Sequence, residues 1–253
     1  DTVLVDAVLS SPALGNNMAG VVVAVKLFEL LARLPRRRLT WRLVLTPETI
    51  GPIAIHHAAP KLRANVVGGW TLVNLGDGAG FHYRTSRPGN TPADKAIRHA
   101  LRHFEGGKIE PYDVRTGTCG NEKAYNSLGI ELPLGAFRRS PLGSYPEYDT
   151  SADDLTKVSA DDLFDSLRLV WGAAQGVERD AVYEHQFEGE PFLTGYGLLP
   201  KIEVEEDRIP YDYLMGFTDG KESLLDIADR SGLPVDRFDE ALAAFREKGL
   251  LKP

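Results

Sequence analysis

From residue 2 to about residue 175 the chain alternates short, unbroken apolar runs with longer amphipathic ones, and few folds accommodate that pattern. Thr2-Val3-Leu4-Val5-Asp6-Ala7-Val8-Leu9 is rich in Val and Leu and stops at Ser10-Ser11-Pro12, as a strand buried on both faces does. A helix is expected from about Met18 to Leu34, with Asn16 or Asn17 as its cap. Its apolar residues wrap much of the circumference, which suits a helix packed on a sheet. Strands follow at Thr40–Leu45, Trp70–Leu75 and Leu132–Phe137, and helices at Ile50–Ala59, Pro92–Phe104 and Ala160–Gln175. Alternation at this spacing predicts an α/β three-layer sandwich with a mixed, largely parallel sheet and helices on both faces.

The pattern breaks into a Gly- and Pro-rich connection near Glu184–Pro200, so domains are expected at 1–185 and 186–253. In the second, Ser223–Arg230 and Val235–Lys248 read as amphipathic helices joined by Ser231-Gly232-Leu233-Pro234, with Gly249 where a helix-ending glycine belongs. Helix, short Gly turn and helix predict a small winged-helix-like domain. Residues 201–253 carry 8 Lys and Arg against 13 Asp and Glu, so a role in protein packing is favoured over reading DNA.

Charge argues the same way for the whole chain. A net charge of −7 over 253 residues disfavours nucleic acid and anionic lipid as partners. Arg36-Arg37-Arg38, the one compact basic run, reads as a solvated helix end. No unbroken apolar run approaches the ~20 residues of a membrane span, and residues 1–9 lack a signal-peptide pattern. A single cysteine, Cys119, cannot form an internal disulfide and suits a reducing compartment, so a cytoplasmic location is expected. It reads as a plain thiol, since no acid or histidine motif flanks it. His56-His57 point about 100° apart on a helix, and His99/His103 lack the intervening Glu of a metalloprotease helix. Both pairs read as packing or surface histidines. Gly76-Asp77-Gly78-Ala79-Gly80 follows a strand but does not open a helix, which argues against a dinucleotide loop.

Five short segments carry a family resemblance. They are Ser10-Ser11-Pro12, Gly15-Asn16-Asn17-Met18-Ala19-Gly20, Pro47-Glu48-Thr49-Ile50-Gly51, Gly120-Asn121-Glu122-Lys123-Ala124-Tyr125 and Pro146-Glu147-Tyr148-Asp149-Thr150-Ser151-Ala152-Asp153. In this order the chain resembles a bacterial family of zinc aminopeptidase-like proteins with a C-terminal winged helix. That family reads Cys-His-Pro, Asn-Asp-Asn-Leu-Ser-Gly, Pro-Glu-Thr-Ile-Gly, Ser-Asp-Glu-Arg-Gln-Tyr and Pro-Glu-Tyr-His-Thr-Ser-Ala-Asp. The resemblance implies a co-catalytic two-zinc fold in which the metal letters have changed. Ser11 stands for a His ligand, Asn16 for the bridging Asp, Asn121 for another Asp, and Asp149 for the last His. A hydroxyl and two amides lack the charge that holds two dications; Asp149, with Asp77 as a weaker candidate, keeps a carboxylate that could take a metal. The family also has a segment before the first strand, and the resemblance implies that this part was removed, is supplied by another chain, or leaves a sheet edge for a partner or oligomer to cover.

The resemblance makes Glu48 the general-base candidate, and Glu122, Lys123, Tyr125 and Glu147 the polar residues expected to converge with it and Asp149 as a ligand site. Tyr145 and Tyr148 are expected to pack the loop around Pro146. The reading that follows is a metallopeptidase-fold protein with a degenerate zinc site, not a working two-zinc aminopeptidase. It would bind a small amino-acid- or peptide-like ligand or a partner chain, with no resident cofactor expected and zinc possible. Two rivals remain: an enzyme repurposed for an amide-type bond in small-molecule biosynthesis, and an aminopeptidase working through one metal.

Overall fold

Seven residues in a row are buried in β1 (Thr2–Val8), so this strand lies inside a sheet with both faces covered. A computed structural model describes residues 1–253 apart from 12, 105, 115–119, 142, 199–204 and the side chain of 205. Pro12, Cys119 and Pro200 therefore lie outside the described residues. The chain forms two units, Asp1–Glu178 and Arg179–Pro253.

In the first unit β1 sits between β2 (Thr40–Thr46) and β3 (Val66–Leu72). The sheet continues through β6 (Leu134–Arg138) to β4 (Phe81–Arg84) and β5 (Gly107–Glu110), in the order β2-β1-β3-β6-β4-β5. The β2, β1, β3 and β6 strands run parallel; β4 is antiparallel to β6, and β5 parallel to β4. The sheet is thus mixed and largely parallel. The strand expected at Trp70–Leu75 begins earlier, at Val66, and runs through Gly68-Gly69. The short strands β4 and β5 had no periodic signal of their own.

Helices cover both faces. On one, α4 (Pro92–His103) receives the Trp70 indole N–H at the Ala93 carbonyl, 3.1 Å away. Its start is fixed by Thr91 and Asp94, which form a reciprocal capping box. On the other face α2 (Ile50–Ala58) and α5 (Asn121–Tyr125) enclose Leu4, Val44, Ile55, Tyr125, Leu132 and Leu134, and the short α3 (Pro60–Arg63) follows α2. The helix α1 (Ala19–Ala32) packs against β1, β2 and β3. It is entered through a π-helical turn, Leu14–Met18, so Asn16 and Asn17 do not cap it; its cap position is Met18, without a side-chain bond. Together Leu14–Ala32 have the length and apolarity of a membrane span, with half of that window buried inside the protein. Length and apolarity are read here from a helix that tolerates Gly, Asn and Lys, which a search for an unbroken apolar run passes over. The helix α6 (Ala160–Arg179) ends the unit.

The second unit is a winged helix. Its sheet has the order β8-β7-β9, built from β7 (Val182–His185), β8 (Asp219–Ser223) and β9 (Leu251–Lys252). Its helices are α7 (Glu205–Phe217), α8 (Leu224–Ser231) and α9 (Asp239–Glu247). Ser223 and Asp226 box the start of α8, and Gly232 ends it at φ 74°, a left-handed conformation that glycine adopts without strain. A 3₁₀ turn, Val235–Phe238, then leads into α9.

Candidate functional site

The four parallel strands end along one side of the sheet, at Val8, Thr46, Leu72 and Arg138. Crevices outside the carboxyl ends of strands are where open α/β sheets bind ligands; four of the five motif segments follow those ends in sequence, and the fifth, Gly120–Tyr125, lies between β5 and β6 and contains α5.

Asp153 holds the first group together. Its carboxylate is buried and accepts from the backbone N–H of Gly15 at 2.8 Å, of Asn16 at 3.0 Å, and from the Tyr145 hydroxyl at 2.9 Å. Burial and this bond push the Tyr145 phenol well above its usual range. Ser11 is also engaged: its Oγ accepts from Asn17 Nδ2 at 2.6 Å and from the Ala13 N–H at 3.4 Å. Tyr145 and Tyr148 meet edge to face, with centroids 5.6 Å apart.

The second group surrounds Asp6, which is fully buried in β1. Asn121 Nδ2 donates to both of its oxygens, at 3.0 and 3.2 Å, and the Tyr125 hydroxyl donates at 3.1 Å. Thr46 Oγ1 donates to Asp6 at 3.3 Å. Burial outweighs these bonds and lifts the Asp6 carboxyl to about 7. The other end of the Asn121 amide, Oδ1, accepts from the Thr49 N–H at 2.9 Å. Thr49 sits at φ 61°, ψ −55°, a strained conformation for a β-branched residue, directly after the partly buried Glu48.

The remaining candidates divide. Tyr125 is wholly buried, with its hydroxyl on Asp6, and Glu122 is 1% exposed beside Arg84 and Arg138. Desolvation raises the Glu122 carboxyl and the Glu48 charge adds to that rise, against the charges of Arg138 and Arg84. Lys123 is exposed on α5. Glu147 pairs with Lys157 at 2.8 Å, and that bond holds its carboxyl below the usual range. With Asp77, Gly15 and Tyr145 this pair lines a cavity of about 160 Å³. Asp77 also closes a local turn by accepting from the Ala79 N–H at 3.1 Å. Asp149 is exposed at φ 57° and lines a second cavity, about 360 Å³, together with Ser11, Thr150 and Ser151.

These donors do not fit a two-zinc centre. Among the described residues no group of three or more His, Cys, Asp or Glu side chains is placed to hold a metal ion. The chemistry of Asn121 is the firmer observation. Its NH₂ donates to Asp6 while its oxygen accepts from Thr49; a carboxylate could make the second bond only, and would meet Asp6 with a lone pair. The position as it stands fits an amide.

Asp6, Arg84 and Arg138 were missed by the sequence reading. A charged residue inside an otherwise apolar strand, as in Thr-Val-Leu-Val-Asp-Ala-Val and Leu-Gly-Ala-Phe-Arg, was the available signal.

Comparison with known proteins agrees with this architecture. Residues 1–180 match the model of a domain of unknown function, DUF4910. The chain belongs to the DUF4910 family. Residues 181–253 match a winged helix-turn-helix model. A Clostridium acetobutylicum protein, named for polysaccharide biosynthesis and an aminopeptidase-like domain, is 30% identical over the whole chain. This chain spans 58% of that relative's length. A solved Clostridium acetobutylicum structure named as a peptidase superposes with a TM-score of 0.88 at 26% identity, covering 99% of this chain and 57% of that one. The Bacillus subtilis zinc aminopeptidase superposes on 68% of this DUF4910 chain, and 45% of its own, with a TM-score of 0.56 at 17% identity, a likeness of fold. The zinc aminopeptidase-like fold with a C-terminal winged helix is therefore established.

Proposed function

We propose that this DUF4910 chain is a metallopeptidase-fold protein whose zinc site has been converted into structure, and that it binds a small amino-acid- or peptide-like ligand without two-zinc hydrolysis. The Asn121 amide carries the reading, because its bridge from Asp6 to Thr49 requires both a donor and an acceptor. Ser11 and Asp153, each already hydrogen-bonded within the protein, support it. The relative's name suggests a biosynthetic setting rather than a digestive one. In the tail, the first turn of α9 carries Asp239 and Glu240, which supports a protein-packing role over one in DNA binding.

Metal analysis by mass spectrometry on protein purified without chelator tests this, alongside hydrolysis of aminoacyl p-nitroanilides with and without added zinc. The expected result is no stoichiometric zinc and no turnover, with a rise in melting temperature on adding dipeptides. Near-stoichiometric zinc with chelator-sensitive hydrolysis overturns it. A second reading, metal-free amide chemistry, is favoured by Glu48 lying next to the strained Thr49. It requires turnover that Glu48→Gln abolishes while the fold is kept.

A further inference from the structure

Register places a cluster of charges on the sheet face that α5 covers. His82 pairs with Arg138 and Lys108, and Arg84 with Ala136 and Glu110, so these side chains share one face of β5, β4 and β6. Toward β1 the same face carries Leu134, Leu4 and, on β2, Val44, all in the apolar core. The face changes from apolar to charged along β6, between Leu134 and Arg138.

The charges are deeply buried: Arg84 is 5% exposed, Arg138 4% and Glu122 1%. Glu110 takes one N–H from each guanidinium, at 3.4 Å from Arg84 Nη2 and 3.2 Å from Arg138 Nη2. Among the described residues, Nε and Nη1 of Arg84, Nε of Arg138 and both oxygens of Glu122 are left without a hydrogen-bond partner. Arg84 Nη1 and Glu122 Oε1 stand 4.0 Å apart, too far to satisfy each other. A buried unpaired charge is costly, and such groups are normally paired. The Glu122 position is also specific to its neighbour: a Cβ on Gly120 would lie 1.9 Å from Glu122 Oε2.

The orphaned atoms select the ligand. An anion would satisfy the guanidinium N–H groups and leave Glu122 unpaired; a cation would do the reverse. A molecule with a carboxylate beside an ammonium meets both and adds no net charge. Ala136, opposite Arg84 and two residues before Arg138, contributes only a methyl group between them. We propose that Arg84, Arg138 and Glu122 form a recognition site for the carboxylate and ammonium of a free α-amino acid. This rests on the ligand-binding reading above and gives it a site distinct from the Ser11–Asp149 cavity. The atoms are shielded from bulk water, so uptake requires local opening and association is slower than for a preformed cleft.

The test is calorimetry and thermal shift on the full chain with the L-amino acids, a dipeptide, and the N-acetyl and methyl-ester forms of the tightest amino acid. One free amino acid is expected to bind, with each blocked form weakened about 10- to 100-fold by loss of charge-assisted bonds. Arg84→Met and Glu122→Gln, checked for fold by circular dichroism, are expected to lose the same factor. Retained affinity for either blocked form overturns the assignment, using wild-type protein alone. If the variants bind as wild type does, or a dipeptide binds and no amino acid does, this site fails and the binding function stands. If wild type binds none of the probes, both fail. Charges buried together with no ligand to meet give that last result.

Discussion

Two carboxylates in the first unit are almost equally buried and live in opposite conditions. Asp94 is 0% exposed and accepts five hydrogen bonds among the described residues, from the Tyr83 hydroxyl, the N–H and hydroxyl of Ser86, and the N–H and hydroxyl of Thr91. Glu122 is 1% exposed, and neither of its oxygens has a side-chain donor among the described residues. Asp94 ties β4, its following loop and the start of α4 into one piece. Its partners are local, within 11 positions, so the motif assembles as soon as α4 docks. Glu122 has the charges of Arg138 and Arg84 and its own backbone N–H near it, but no side chain among the described residues bonds it. The contrast separates polar burial that builds the fold from polar burial held in reserve. In the first kind every acceptor is used; in the second the unmet groups have both signs and face one place.

Removing the satisfied carboxylate has the largest expected effect. Asp94→Ala strands several buried donors at once and is expected to cost ~4–5 kcal/mol, read from urea unfolding. A loss below about 1 kcal/mol would break the comparison, since Asp94 would then be no more structural than Glu122. Asp6 lies between the two: well bonded, yet lifted to about 7 by burial. A carboxyl raised in the folded state holds its proton where the unfolded chain has lost it. Its stabilising contribution is full below the unfolded value near 3.8 and is lost as pH rises to about 7. From pH 4 to 7 this group alone removes at most ~4 kcal/mol. Asp6→Asn is expected to flatten that slope and to be the more stable protein at pH 8, in unfolding curves taken across the range. A slope equal to that of wild type would mean Asp6 is charged in the fold throughout.

Asn121→Asp comes next. Returning the family's acid at this position replaces the amide that donates to Asp6 with a second buried carboxylate. A cost of ~3 kcal/mol at pH 8 is expected, shrinking toward pH 5 as one acid protonates, with no gain of zinc. Restored zinc binding without loss of stability would show that the amide is a substitution and not a refitting.

How much of this was legible beforehand follows from the range of each interaction. The β1–α1–β2 alternation is local, and so are the Thr91/Asp94 and Ser223/Asp226 capping boxes; such features are written in neighbouring letters. Four of the five motif segments follow the ends of β1, β2 and β6, so their letters point to that side of the sheet; Gly120–Tyr125 does not, and contains the helix α5. Asn121 could be read as a lost acid but not as a bridge, since its partner Asp6 is 115 positions away. Arg84 and Arg138 face each other's surroundings only through the antiparallel register of β4 and β6, and β4 is four residues long. Neither strand's sequence specifies that pairing. Tyr125 was expected to reach the cleft because the resemblance carries it in one motif with Glu122 and Lys123; the short helix α5 instead buries it on Asp6.

Glu122→Gln has the smallest expected effect and bears most directly on the contrast. With no side-chain bond to lose among the described residues, neutralising the side chain removes a desolvated charge at the cost of its attraction to Arg138 and to Arg84 at 4.0 Å. The balance is expected to fall between no change and ~2 kcal/mol of stabilisation, because replacing buried charge is often neutral or favourable when its pairing is incomplete. The sign is what matters. A structural ion pair loses stability when one partner goes, as Asp94 should; a group kept for a ligand does not. Glu122→Gln that melts well below wild type would place Glu122 with Asp94 and remove the physical reason for expecting a ligand between it and the two arginines.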